Sequence, residues 1–133
     1  MIYALDTNII IHLINHDKAV LAKRDEVIES GSRFIIPPVV DYEMRRGFIY
    51  KPSPKKESLY FNLITHCGIG DMTSQAWFRA AKIYAELRRN NFTVGDSDIL
   101  IAAFCIVNNY TLVTNNIKHF KDIDGLIHEN WID

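Results

Sequence analysis

The chain has 133 residues, 48% of them hydrophobic and 23% charged, and its formal net charge is -1. This length predicts a single domain spanning residues 1–133 that buries roughly 65–70% of its unfolded surface. The near-neutral balance excludes bulk electrostatic attraction to nucleic acid or membrane, but not an enzyme that cuts nucleic acid, because bound cations offset acidic residues locally.

Met1 leads into the apolar run Ile2-Tyr3-Ala4-Leu5, which reads as a buried strand. Asp6-Thr7-Asn8 follows and offers helix-capping side chains to a helix that begins with Ile9-Ile10-Ile11. A second amphipathic helix is expected over residues 18–30, stopped by Gly31. Arg33-Phe34-Ile35-Ile36 reads as another buried strand, and Pro37-Pro38 opens a helix that runs to about Tyr50. Lys51-Pro52-Ser53-Pro54 breaks the chain, and a helix over residues 55–64 comes next.

The most regular helix is predicted over residues 73–91. There Trp77, Ala80, Ala81 and Tyr84 recur at helical spacing and read as a packing stripe. The loop Gly95-Asp96-Ser97-Asp98 caps a helix over residues 99–107 that is apolar nearly all round, and so buried. Thr111-Leu112-Val113-Thr114 is a strand, residues 115–120 form a helical turn, and the tail holds a last short strand or coil. Strands alternating with helices imply an α/β fold with a parallel sheet covered on both faces.

Cys67 and Cys105 lie far apart in no CxxC pair, as expected of two reduced, largely buried thiols. No basic segment precedes an apolar one at the start, and the longest apolar run, residues 99–107, is half of a membrane span. The expectation is a cytoplasmic protein with no membrane partner.

In parallel sheets, ligands bind beyond the carboxyl ends of the strands. Asp6 ends the first strand, Asp98 opens a helix after a glycine-containing loop, and Asn116 follows the strand ending at Thr114. Glu43 lies three and four residues after Val40 and Val39, beside the inward side of its helix. Oxygen ligands from four elements therefore meet at one sheet edge. Carboxylate oxygens suit Mg²⁺ or Mn²⁺, and such ions activate water and offset charge on a phosphodiester.

Each residue also has a plainer reading. Asp6 and Asp96 are natural helix caps, and Asp98 complements a helix dipole. Glu43 can pair with Arg46 at i+3 on an exposed surface, and Asn116 can be a turn residue. The joint placement favours a site over any of these taken singly. His12 and His16 stand at i, i+4 on one predicted helix face, but HExxH is absent and a surface pair is expected. Arg45, Arg46, Lys51, Lys55 and Lys56 are either a solvated surface or contacts to RNA phosphates.

Leu5-Asp6-Thr7-Asn8, Tyr42-Glu43, Asp98-Ile99-Leu100-Ile101-Ala102-Ala103 and Leu112-Val113-Thr114-Asn115-Asn116 resemble the motifs of PIN-domain nucleases, in the same order and approximate spacing. The tail from His119-Phe120 through Gly125-Leu126 to Asn130-Trp131 is similar to that of the VapC toxins. The resemblance covers essentially the whole chain. It implies a three-layer α/β/α sandwich with a mainly parallel sheet, Mg²⁺ or Mn²⁺ as cofactor, and endoribonuclease activity on structured RNA such as tRNA. It also implies a homodimer and a VapB antitoxin that docks a C-terminal segment near the active site. By position, Asp6, Glu43 and Asp98 match the three main acids of the family. Thr7, Asn8 and Thr114 support them, and Asp96 matches a frequent extra acid. Asn116 stands where many members carry a fourth Asp.

Two other readings stand beside this one. An Asp-nucleophile phosphohydrolase would use Asp6, but its DxDx(T/V) motif needs an Asp where this chain has Asn8. A non-catalytic α/β binding module of PIN-like or receiver-like fold would leave three matching acids without a task.

Overall fold

The computed structural model describes residues 1–132. In chain order the elements are β1 (Ile2–Leu5), α1 (Thr7–Ile14), α2 (Lys18–Glu29), β2 (Arg33–Ile35), α3 (Pro38–Tyr50) and α4 (Pro54–Cys67). Then follow α5 (Ser74–Arg89), α6 (Asp96–Asn108), β3 (Thr111–Val113), α7 (Ile117–Phe120) and β4 (His128–Glu129). The strands form one sheet in the order β2-β1-β3-β4, and every pairing is parallel. Helices cover both faces, giving the three-layer α/β/α arrangement. From β1 the chain first adds β2 on one side, then crosses to place β3 and β4 on the other. The order therefore reverses between β1 and β3, and parallel sheets open a crevice at such a reversal.

The strands are short, so the helices must supply much of the core. On α6, Ile99, Ile101, Ala102, Ala103, Phe104 and Cys105 are all buried, as its continuous apolar run requires. α5 packs against it through Ala76, Ala80, Ile83 and Leu87. Burying Ile83 and Leu87 contributes about 1.5–3 kcal/mol each. Of the expected stripe of Trp77, Ala80, Ala81 and Tyr84, only Ala80 is buried. Trp77 is 54% and Tyr84 45% exposed, and Phe78 beside them is 68% exposed. The physical reason is that α5 carries two apolar faces, and the one built from small and aliphatic residues fits closely against α6.

Several boundaries also differ. α4 continues to Cys67, ended by Gly68 at φ 77°, a left-handed conformation that glycine adopts without strain. Helix α6 begins at Asp96 with Gly95 in the capping position, so Asp96 is not the cap but the first helical residue. α1 ends at Ile14, and His16 lies beyond it at φ 59°. His12 and His16 thus share no helix face, which removes the metal-pair geometry. Both cysteines are free, Cys105 buried and Cys67 partly so; burial pushes the Cys67 thiol up to about 11. Among the described residues no helix is long and apolar enough to cross a membrane.

One close approach locks a loop to this core. Gly70 donates to the Ile36 carbonyl at 2.9 Å while Ile36 donates to the Gly68 carbonyl at 3.1 Å. A side chain at Gly70 would overlap the buried Phe104 ring, with Cε1 at 2.6 Å.

Candidate active site

Asp6 is the residue at which β1 becomes α1. Its backbone N–H continues the ladder to the Val113 carbonyl at 3.0 Å, and its carbonyl accepts from Ile9 and Ile10. The side chain is 5% exposed. Oδ1 accepts from the Thr7 N–H at 2.8 Å and Oδ2 from the Thr114 hydroxyl at 2.7 Å. Thr114 is the residue after β3, so the two elements flanking the sheet reversal meet at this carboxylate. The Asn116 N–H donates to the Thr114 hydroxyl oxygen at 3.0 Å, which turns the chain into α7.

Glu43 arrives from α3. Its Oε1 accepts from the Thr7 hydroxyl at 3.0 Å and its Oε2 lies 3.4 Å from Arg46. Thr7 thereby joins two acids, through its backbone to Asp6 and through its hydroxyl to Glu43. Asn8 reaches the neighbouring edge, donating to Asn115 at 3.3 Å. Asp98 sits in the first turn of α6, where the helix dipole favours negative charge. Its Oδ2 lies 3.0 Å from His119 Nδ1 on α7.

All three carboxyls are held above the usual carboxylate range. Burial is the largest cause for each. For Asp6, bonds from Thr114 and Thr7 and the nearby His119 oppose it. At Glu43, the charges of Asp6 and Asp98 add to burial, against the Thr7 bond and Arg46. At Asp98, His119 opposes burial while Asp6 adds to it. The three acids therefore feel one another's charge, and desolvation outweighs the polar partners present.

Asp6, Glu43 and Asp98 thus lie close enough to feel one another's charge. Asp96 is exposed and has no side-chain partner among the described residues. Asn116 is tied to the centre through its backbone, and its amide makes no hydrogen bond among the described residues. Of the basic residues, Arg45 straddles the Asp41 carboxylate at 3.0 and 2.8 Å, and Asp41 also accepts from the buried Tyr60 hydroxyl at 2.7 Å. Arg46 is shared between Glu43 and the Tyr42 ring. Lys55 and Lys56 are exposed at the start of α4. The residue that sequence reasoning missed is His119: its partner lies 21 positions away on another element, and no spacing rule links them.

The donor set is all oxygen and acidic, which fits a hard divalent cation. As the side chains stand, no three His, Cys, Asp or Glu among the described residues enclose a common point tightly enough to hold an ion. Glu43 leans on Thr7 and Arg46, and Asp98 leans on His119. A cation competes with Arg46 for the Glu43 carboxylate, whereas His119 engages only Oδ2 of Asp98 and leaves Oδ1 open.

Comparison with known proteins gives a consistent result. The PIN-domain family profile matches residues 3–126. Ribonuclease VapC2 of Rickettsia felis is 36% identical over 134 aligned residues, covering 98% of each protein. The tRNA(fMet)-specific endonuclease VapC of Salmonella typhimurium is 28% identical, with 97% of each covered. Among solved structures, VapBC2 from Rickettsia felis bound to a promoter DNA fragment contains a chain similar at a TM-score of 0.92 and 33% identity. That match covers 99% of this chain and 100% of the other. DNA-bound VapBC from Salmonella typhimurium gives a TM-score of 0.88 at 25% identity, with 99% of each chain covered.

Proposed function

The chain belongs to the PIN-domain family, among its VapC ribonucleases, and from that premise we propose that it is a divalent-metal-dependent endoribonuclease, the toxin of a toxin–antitoxin pair. The observation that carries this reading is the meeting of Asp6, Glu43 and Asp98 from β1, α3 and α6 at the sheet reversal, each with a raised pKa. The substrate class is structured RNA such as tRNA, supported by the relative named as a tRNA(fMet)-specific endonuclease.

Asp6, Glu43 and Asp98 would hold Mg²⁺ or Mn²⁺. When bound, such an ion makes water a better nucleophile and offsets charge on the phosphodiester. The chain's own residues do the rest. Thr7 and Thr114 fix Asp6 from both sides, so the carboxylate is set before any ligand arrives. Glu43, displaced from Arg46, frees that guanidinium for an RNA phosphate, and Lys55 and Lys56 offer further positive charge nearby in sequence. Asn116 supplies a neutral amide where a fourth acid would add charge.

The same reading includes a VapB-like antitoxin and a homodimer. A groove of about 720 Å³ between α1, α2, β2 and α4, lined by Leu13, Ile28, Phe34, Leu59 and Leu63, suits an apolar peptide segment. The VapBC neighbours support that partner. The exposed Trp77, Phe78 and Tyr84 on α5 support self-association.

The deciding experiment is cleavage of total RNA by the purified chain. EDTA should abolish cleavage and added Mg²⁺ or Mn²⁺ should restore it. Full activity in EDTA removes the proposed chemistry.

A further inference from the structure

We propose that His119 is a positioning residue for the acidic centre, and that the segment from Thr114 to His119 sets the spacing between Asp6 and Asp98. The inference rests on the reading of those two carboxylates as ligands of a divalent cation. Its basis is a chain of contacts running from one acid to the other. The Thr114 hydroxyl donates to Asp6 Oδ2 at 2.7 Å. The Asn116 N–H donates to that same hydroxyl oxygen at 3.0 Å. The His119 backbone N–H donates to the Asn116 carbonyl at 2.9 Å. The His119 ring then reaches Asp98 Oδ2 at 3.0 Å. Six residues therefore grip two carboxylates that arrive on separate elements, β1 and α6.

The three acids are not held equally. Asp6 has two donors, and Glu43 has Thr7 and Arg46. Asp98 has only His119 among the described side chains. Without the imidazole, Asp98 is free to turn on the surface of α6, away from a neighbour that repels it. Holding Oδ2 leaves Oδ1 open as a ligand atom, the usual arrangement for a carboxylate oriented by an outer partner. His119 is 56% exposed at its side chain, so as a mere ion pair it contributes little to stability. Its effect belongs to metal binding instead.

The experiment compares the parent chain with His119→Ala and His119→Gln. Three quantities are read: Mn²⁺ affinity by titration calorimetry, the metal-free melting temperature, and RNA cleavage. Glutamine retains an N–H that can face Asp98, and alanine has none. His119→Ala should bind Mn²⁺ at least about tenfold more weakly, with cleavage falling in step. His119→Gln should stay within about threefold of the parent. Metal-free melting should move by no more than about 3 °C in either variant. Unchanged or tighter Mn²⁺ binding by His119→Ala overturns the proposal, and so does a glutamine variant as weak as alanine. If the parent itself binds no Mn²⁺, the metal reading fails first and this inference falls with it.

Discussion

The Thr114 hydroxyl and the Asp6 carboxylate, 108 positions apart in sequence, meet at 2.7 Å with both side chains buried. Thr114→Val keeps the shape and removes the donor, leaving a desolvated carboxylate with one partner in place of two. The variant should lose about 1–3 kcal/mol of stability at neutral pH, read from urea denaturation midpoints. Mn²⁺ affinity should fall as well. A midpoint equal to the parent's means that the hydroxyl does not hold Asp6.

Asp98→Asn separates a metal site from a helix-dipole role. Asparagine keeps the side-chain shape and removes repulsion from Asp6 and Glu43. Two unit charges about 5 Å apart at an effective dielectric near 20 repel by roughly 3 kcal/mol before screening. Losing the dipole interaction costs only about 0.3–1 kcal/mol. Metal-free melting should therefore stay level or rise. With Mn²⁺ at a hundred times its Kd, the parent gains about 2.7 kcal/mol; the variant should lose most of that gain and nearly all cleavage. A variant that melts lower without metal and still cleaves places Asp98 outside the chemistry.

The direction of the carboxyl shifts fixes a pH dependence. Asp6, Glu43 and Asp98 titrate above their ordinary values when folded. At pH values just above about 4, the native protein thus keeps protons that the unfolded chain has released. Native stability from these groups is then greatest below the unfolded pKa values and is lost as pH rises through the folded ones. The melting temperature of metal-free Asp98→Asn minus that of the parent should increase from pH 4.5 to pH 7.5. A difference that shrinks over this range contradicts the crowding of charge.

Gly70→Ala tests the packing behind the site. The added methyl collides with the Phe104 ring, which is 2% exposed and cannot move freely. Overpacking of this kind costs about 1–3 kcal/mol. Thermal melting should show the loss while the Mn²⁺ affinity of the folded protein stays close to the parent's.

Local chemistry made much of this legible in the sequence. Asp6 follows four apolar residues and starts a helix, so its place at a strand's carboxyl end could be read directly. Pro37-Pro38 announced α3 and brought Glu43 inward. The wrong face of α5 has a physical origin: Trp77 and Tyr84 fit the helical period as well as Ala76, Ala80, Ile83 and Leu87 do. Periodicity alone cannot say which of two apolar faces meets α6. The role of His119 as a contact of Asp98 was out of reach, because side-chain pairing between elements depends on how α7 is docked against α6. The Glu43–Arg46 pair, by contrast, was legible from its i+3 spacing on one helix.

The reversal of strand order between β1 and β3 bears on when the site can form during the protein's own synthesis. Asp6 is made well before its partners: β3, which pairs with β1, and the Thr114 hydroxyl come more than a hundred residues later. At about 5–20 residues per second, this interval lasts roughly 5–20 s. Until Thr114 has left the ribosome, β1 has no β3 partner and Asp6 has no second donor. An incomplete chain therefore lacks both the strand pairing and the hydroxyl that hold Asp6 in place. A fragment cut anywhere between α3 and β3 lacks them too, so the end that carries Asp6 takes its form only once the last third of the chain has joined the sheet.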